Sequence, residues 1–574
     1  MHVPRRLQVR MIAVIALGAI AGCARAPQPI RYGGEDCDVC HMTISDPRFG
    51  AELVTNKGKV HKFDSIECMA SYYLQARAAG DVRSVWVSDF QHPGTFIPAE
   101  SAQYLRGTTS AHSPMGKGLA AIAPSANLAR AAQDLAGQPT PWSEVLTLAA
   151  VSGPAPDTVA VTTPAARSDA GGDSSTARMP LPVHTIVVST HGAVATLTAA
   201  IAQAHDGDRI LVRAGVYREP TIVVNKRLEI DGDGDAVLDG ESKRQIMTVS
   251  ADDVTIRHLH LRNVGISYTE DLAAVKVLKV RKCVIADNTI ENAFFGVYLS
   301  ASVGCQVLRN DIRGQPRQEG NSGNGIHLWS ASDALIADNH VTGQRDGIYF
   351  EFVKNTDVRD NVSERNLRYG LHFMYSDDCR YFHNIFRRNL AGVAVMFTHR
   401  VTMVGNRFED SWGSGSYGLL LKEIFDSRIE DNHFVGNAVG LMADDANRLV
   451  AVRNEFRDNG WAIKLLSNTD DARFEQNDFL DNTFDVSMSS GQTTTRFVGN
   501  YWDDYRGYDL DHDGFGDVPF RPVRLFSVIV SQNPPTLVLL RSVFVDMLDV
   551  AERVLPSLTP ETVVDARPAM RPHV

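Results

Sequence analysis

The chain has 574 residues and 62.9 kDa, which at about 150 residues per domain allows roughly four domains unless it is built of repeats. Hydrophobic residues make up 44% and charged residues 22%, a balance that excludes wholesale disorder. The net charge of −11 argues against nucleic acid as a partner, since phosphate contacts need a basic surface, and seven cysteines in this length exclude a disulfide scaffold.

Residues 1–22 read as a lipoprotein signal peptide. Arg5, Arg6 and Arg10 form a basic start, and Met11 to Ala21 is an apolar run too short to span a bilayer, which needs about 20 residues. The run ends in Ile20-Ala21-Gly22-Cys23, small residues before a cysteine that resemble a bacterial lipobox. Cys23 would then be acylated and become the mature N-terminus, leaving a chain of net charge −14 held at the membrane on the periplasmic side. An ordinary signal peptide with a chance cysteine is the plainer reading.

Residues 23–150 form a first unit, expected to be a small α+β domain. It carries Cys37-Asp38-Val39-Cys40-His41-Met42, then Phe63-Asp64-Ser65-Ile66-Glu67-Cys68-Met69, then Ser113-Pro114-Met115-Gly116. Thiolates and thioethers are soft ligands that favour Cu(I) over Mg²⁺ or Ca²⁺. Three cysteines cannot make a Cys₄ zinc site, although a mixed site through His41 or His61 is open to Zn²⁺. A Cys37–Cys40 disulfide or redox pair is the blander reading in an oxidising compartment.

These three ordered segments together resemble the NosL family of lipoprotein copper(I) carriers, which help assemble nitrous oxide reductase. The resemblance covers about 110 residues. It implies Cys40, Met42, Cys68, Met69 and Met115 as the best ligand candidates, with Cys37 beside them. Many members carry Gly where this chain has His41, so a side chain is added at that point.

Residues 151–182 change composition to Gly, Ser, Pro, Ala and Asp without apolar periodicity, as in Ser168-Asp169-Ala170-Gly171-Gly172-Asp173-Ser174-Ser175-Thr176. This reads as a tether with a root-mean-square span of roughly 30 Å.

From 183 to 523 the chain repeats. Asn recurs at 288, 310, 339, 361, 384, 406, 432, 454, 477 and 500, mostly 22 or 23 residues apart. Apolar residues stand at fixed offsets around each, and a Gly-led apolar strand follows, as in Gly347-Ile348-Tyr349-Phe350. The period predicts a mainly β fold, a right-handed parallel β-helix whose Asn side chains stack along the axis at about 4.8 Å per coil. Leu197 to Ala204 reads as a short capping helix. Cys283, Cys305 and Cys379 each precede a ladder Asn by five residues. Adjacent coils put Cys283 and Cys305 within reach of a disulfide or of simple thiol stacking.

Strand alternation points residues two and four after each leading Gly outward. His327, Trp329, Tyr349, Glu351, His372, Met374 and Met396 are therefore expected as one exposed patch. A protein interface, a transient copper contact and a plain stacked surface are the readings open for it.

The stretches Asp346 to Phe352, Asn366 to Met374 and Ala391 to Phe397, with the ending Asn500-Tyr501-Trp502-Asp503-Asp504-Tyr505, resemble the NosD family. That resemblance implies a periplasmic β-helix maturation factor of nitrous oxide reductase that receives copper from NosL. It also implies an ABC transporter permease and ATPase as partners. The two resemblances together make the chain read as a natural NosL–NosD fusion.

Asp509, Asp511, Asp513 and Asp517 alternate around Gly514 in a pattern that suits Ca²⁺, although the bidentate Glu of an EF-hand is missing, Phe520 standing in its place. Residues 524–574 form a tail whose apolar run is broken by Arg541, Asp546 and Asp549, which argues against a membrane span and for docking on a membrane partner or capping. The competing function is a polysaccharide lyase, hydrolase or epimerase, or a carbohydrate-binding protein. Asp377-Asp378 and Asp444-Asp445 are paired carboxylates, but Asp-Pro-His and Gly-His-Gly signatures are missing, so no catalysis is expected.

Overall fold

The computed structural model describes residues 27–40, 42–108, 113–115, 118–150, 184–267, 270–315, 322–413, 415–466, 469–488, 494–555 and 563–573. The signal peptide with Cys23, His41 and the tether at 151–182 lie outside the described residues. The chain divides into two compact units, Met1–Pro156 and Asp157–Val574.

The first unit is α+β. Its antiparallel sheet runs Val60–Phe63, Ala51–Val54, Ser84–Ser88, Phe96–Pro98, with Ala51 facing both Phe63 and Val87. A second sheet runs Ala120–Ile122, Gln103–Arg106, Gln138–Thr140. The helix Ile66–Ala78 begins at Ser65, whose Oγ accepts the Cys68 amide N–H at 3.2 Å and so satisfies one of the unpaired donors of the first turn.

The second unit is a parallel β-solenoid. Each coil gives one strand to a twelve-stranded parallel sheet and two three-residue strands flanking the ladder Asn, such as Val284–Ala286 and Thr289–Glu291 around Asn288. The residue before each ladder Asn is left-handed, from Asp287 (φ 57°) and Asp338 (φ 58°) to Gly499 (φ 65°). That bend costs a non-glycine residue about 1–2 kcal/mol. The Asn ladder offsets it: from Asn310 onward each Asn Oδ1 accepts both the amide N–H and the Nδ2 of the Asn one coil earlier, at 2.8–3.1 Å.

Phenylalanines two residues past the ladder stack in the interior. Phe408, Phe434, Phe456, Phe479 and Trp502 lie 4.0–5.1 Å apart between ring centres and within 9° of parallel. Ser363 occupies the same position one coil before Phe386, and its Oγ donates to the Gly370 carbonyl at 2.7 Å. The leading glycines also stack. A Cβ at Gly392 would lie 2.2 Å from the Gly418 carbonyl oxygen, which leaves no room for a side chain there. Cys283 and Cys305, in adjacent coils with Cα atoms 4.4 Å apart, are joined as a disulfide, while Cys379 is a free buried thiol.

Both ends of the solenoid are closed. At the start the helix Leu197–Gln203 covers the core, and the Glu219 carboxylate accepts the Leu197 and Thr198 amide N–H groups at 2.6 and 2.9 Å. At the far end Asp565, fully buried, takes the place of the next Asn. Its Oδ2 accepts from the Asn500 amide, Asn500 Nδ2 and Trp502 Nε1 at 2.9, 3.0 and 3.2 Å. Of the two roles expected for the tail, docking and capping, this residue performs the second, because a ladder that ended on a free Asn would bury unsatisfied donors.

Between these ends, the helix Leu525–Gln532 packs Phe526 and Val530 against Phe484. Asp485, beside that contact, is buried, and burial pushes its carboxyl up to about 7, only partly offset by Arg524. The native state therefore keeps a proton that an unfolded carboxyl of pKa 3.8 has lost, so stability falls as pH rises from about 4 to about 7. Asp485→Asn should unfold at the same temperature as the parent chain at pH 4 and several degrees higher at pH 8, by scanning calorimetry. A constant difference at both pH values would contradict this.

Candidate metal centre

The Cys37–Cys40 turn is pinned on both sides. The Cys37 amide donates to the Met42 carbonyl at 2.8 Å and the Asp38 amide to the Lys62 carbonyl at 2.9 Å. Asp38 Oδ2 lies 2.8 Å from His61 Nδ1, and His61 Nε2 lies 2.9 Å from the Tyr72 hydroxyl. The strand Val60–Phe63 then delivers Asp64, and the first turn of the helix Ile66–Ala78 delivers Cys68.

The result is one buried pocket. A thiol sulfur from each of Cys37, Cys40 and Cys68 and a carboxylate oxygen of Asp64 all lie within 4.8 Å of one another. All three cysteines are free, so the disulfide reading of Cys37 and Cys40 does not hold here. Burial raises the Cys37 thiol, but hydrogen bonds from the Cys40 and Cys68 thiols outweigh it and hold Cys37 well below the usual thiol range. Cys40 is pushed well up by burial, and Cys68 by its hydrogen bonds to the Cys37 and Cys40 sulfurs. Cys37 is therefore the first of the three to become a thiolate. Burial and the Cys37 charge raise the Asp64 carboxyl well above its ordinary value.

Met42, Met69 and Met115 are buried in the same unit. The third sequence segment is tied to the second, since Ser113 Oγ donates to Glu67 Oε1 at 2.5 Å, one residue from Cys68. Asp64 was missed by spacing arguments. Its signal was the Phe63-Asp64 step itself, a carboxylate at the end of a strand and four residues before a cysteine on a helix. Three soft sulfurs shielded from water fit Cu(I).

The column on the solenoid needs a correction. Its register is as expected: His327, Tyr349, His372 and Ala394 stand opposite one another on successive strands, as do Trp329, Glu351, Met374 and Met396. Only Trp329 is exposed, at 39%. His327, Tyr349, Glu351, Met374, His372 (2%) and Met396 (0%) are buried, so these residues are not an exposed patch. Strand parity reports which way a side chain points, not what lies over it. Rings at one-coil spacing cover each other: His327 lies 4.7 Å from Tyr349, and His372 lies 5.1 Å from Tyr349 and 4.8 Å from Tyr369. Burial pushes His372 down to about 3, so its imidazole is neutral. Beside it, Arg368 holds the buried Asp346 carboxylate at 2.5 and 2.8 Å.

The acidic turn is also partly corrected. Asp509, Asp511 and Asp517 converge, but Asp513 pairs with Arg567 instead, and the Asp509 carboxylate is occupied by the amides of Asp513 and Gly514 at 3.2 and 3.0 Å. The paired carboxylates considered for sugar chemistry are bound as well: Asp377 lies 3.2 Å from His399, Asp378 2.6 Å from Arg400 and Asp444 2.6 Å from Lys422. No described helix is long and apolar enough to cross a membrane.

An Asn-laddered parallel solenoid and a separate α+β unit with a thiol-lined candidate metal pocket define the class. Residues 308–507 match the family model described as periplasmic copper-binding protein (NosD), and residues 31–148 match that of NosL. A Pseudomonas aeruginosa protein named probable ABC transporter binding protein NosD is 32% identical over 388 residues, 64% of this chain and 89% of the relative. Its Stutzerimonas stutzeri namesake is 27% identical, over 64% and 88%. The chain belongs to the NosD family, fused behind a NosL domain. Among solved structures, the A-module of an Azotobacter vinelandii mannuronan C-5 epimerase covers 53% of this chain and 86% of its own at 16% identity and TM-score 0.37. Pectate lyase Pel9A covers 57% and 83% at 15% identity and TM-score 0.35. At that level the likeness carries no argument about activity.

Proposed function

We propose that this chain is a periplasmic, lipid-anchored maturation factor of nitrous oxide reductase. It takes up copper as Cu(I) in its N-terminal domain. Through the β-helix and an ABC transporter permease and ATPase, it supplies that copper to the copper–sulfur centre of the reductase, without catalysis of its own. The observation that carries this reading is the convergence of three buried thiols in the NosL domain of a NosD chain. Cu(I) is the oxidation state such sulfurs favour. The names of the two relatives support a transporter as partner.

The C-terminal helices support a docking role. Val543 (72% exposed), Met547, Val550 and Val554 recur at helical spacing along the helix Val543–Val554, next to Val538 (87%) on the preceding turn. Ca²⁺ at the Asp509 turn is not needed by this reading.

Deleting residues 24–182 should lower the copper content of co-expressed nitrous oxide reductase severalfold while the solenoid still folds, since the two units are separate bodies. Metal analysis of the purified reductase checks it. Full metallation in the deletion strain would mean that another protein supplies the copper.

A further inference from the structure

The metal pocket contains one group that Cu(I) does not need. Asp64 is 3% exposed, and among the described residues its carboxyl oxygens face no hydrogen-bonding group other than the three cysteine thiols, which are weak donors. Buried among weak thiol donors alone, its ionised form costs several kcal/mol unless a cation satisfies it. A carboxylate is a hard donor, and a soft monovalent ion held by two or three thiolates gains little from it. Zn²⁺ is different. It takes sulfur and carboxylate oxygen together in a tetrahedral set, with Zn–S about 2.3 Å and Zn–O about 2.0–2.2 Å. Such a set places its donor atoms roughly 3.5–3.8 Å apart. The four donors already lie within 4.8 Å of one another, so modest side-chain movement closes the pocket around an ion.

We propose that Cys37, Cys40, Cys68 and Asp64 form a complete four-ligand Zn²⁺ site, and that Asp64 is the residue through which this pocket admits Zn²⁺ as a competitor of Cu(I). This rests on the pocket being a metal site, but not on copper being its cargo. Zinc binding uses all four residues, the thiols losing their protons to solvent as thiolates form. Cu(I) binding uses sulfur alone. The choice between the two ions is then set by one oxygen donor, Asp64, in place of the histidine that the sequence left open as a fourth zinc ligand.

The test uses the full chain under anaerobic conditions. Zn²⁺ affinity is measured by competition with a chromogenic zinc chelator, and Cu(I) affinity by competition with bathocuproine disulfonate. Asp64→Asn should weaken Zn²⁺ at least tenfold and change Cu(I) less than threefold. Equal loss of both ions, or unchanged Zn²⁺ affinity, would overturn the proposal. Should the variant fail to fold, Co²⁺ in the unaltered chain decides. Tetrahedral ligand-field bands with charge-transfer intensity for three thiolates support the site, and a weak octahedral spectrum overturns it. A chain that binds Zn²⁺ in this way but not Cu(I) would uphold this inference and remove the functional reading above it.

Discussion

Serine at both Cys37 and Cys40 is expected to abolish high-affinity Cu(I) binding in the N-terminal domain. The hydroxyl is a hard donor of ordinary alcohol acidity, whereas Cys37 is the sulfur held well below the usual thiol range by its two neighbours. Removing it takes away the first thiolate, and removing Cys40 leaves Cys68 as the one soft anion facing Asp64. A drop of about a thousandfold, roughly 4 kcal/mol, is the scale of losing two of three sulfur ligands. Anaerobic competition with bathocuproine disulfonate reads it, and unfolding of the solenoid should not move, because that unit packs its own core. Cu(I) affinity retained within tenfold would show that Met42, Met69 and Met115 hold the ion without the thiols.

Asn384→Ala should destabilise the middle of the solenoid by about 3–5 kcal/mol, the sum of several orphaned buried groups at 1–3 kcal/mol each. Asn384 Oδ1 accepts two hydrogen bonds from Asn361, and its Nδ2 donates to the Val358 carbonyl and Asn406 Oδ1 at 2.9 Å each. Alanine leaves the Asn361 amide and the Val358 carbonyl without their hydrogen-bond partner inside a packed core. The defect sits between coils, so it should weaken the coupling of the two halves of the stack as well as the coil itself. Urea unfolding monitored by circular dichroism should show an earlier transition, a broader one, or both. A loss under 1 kcal/mol would mean that the ladder is decoration on a stack held by its Phe column.

Much of this was legible in the primary structure, for a physical reason. A solenoid repeats one environment, so each residue type must recur at one offset, and the ten ladder Asn, the stacked Phe and the leading Gly are that recurrence written out. The thiols were legible as residue types with unusual chemistry at short spacing. What spacing could not carry was cover and closure. The His372 column points where alternation says, yet it is buried, since burial depends on neighbours across coils and not on parity. Asp565 could not be seen as a ladder residue because it lies 65 residues past Asn500 and outside the period. Asp64 reads as an ordinary loop carboxylate until the strand and the helix bring it against three sulfurs.

The twelve-stranded sheet also makes this protein a ruler. Stacked strands advance about 4.8 Å each, so from its first strand to its last the sheet is a rod of roughly 50 Å with no hinge of its own. Its length changes only in whole coils, because half a coil would break every ladder at once. Losing or gaining a 22-residue unit would therefore shift the exposed C-terminal helices by one fixed step relative to the start of the rod, leaving all chemistry at both ends intact. Reach, in this architecture, is a counted quantity that gene duplication can adjust in single increments.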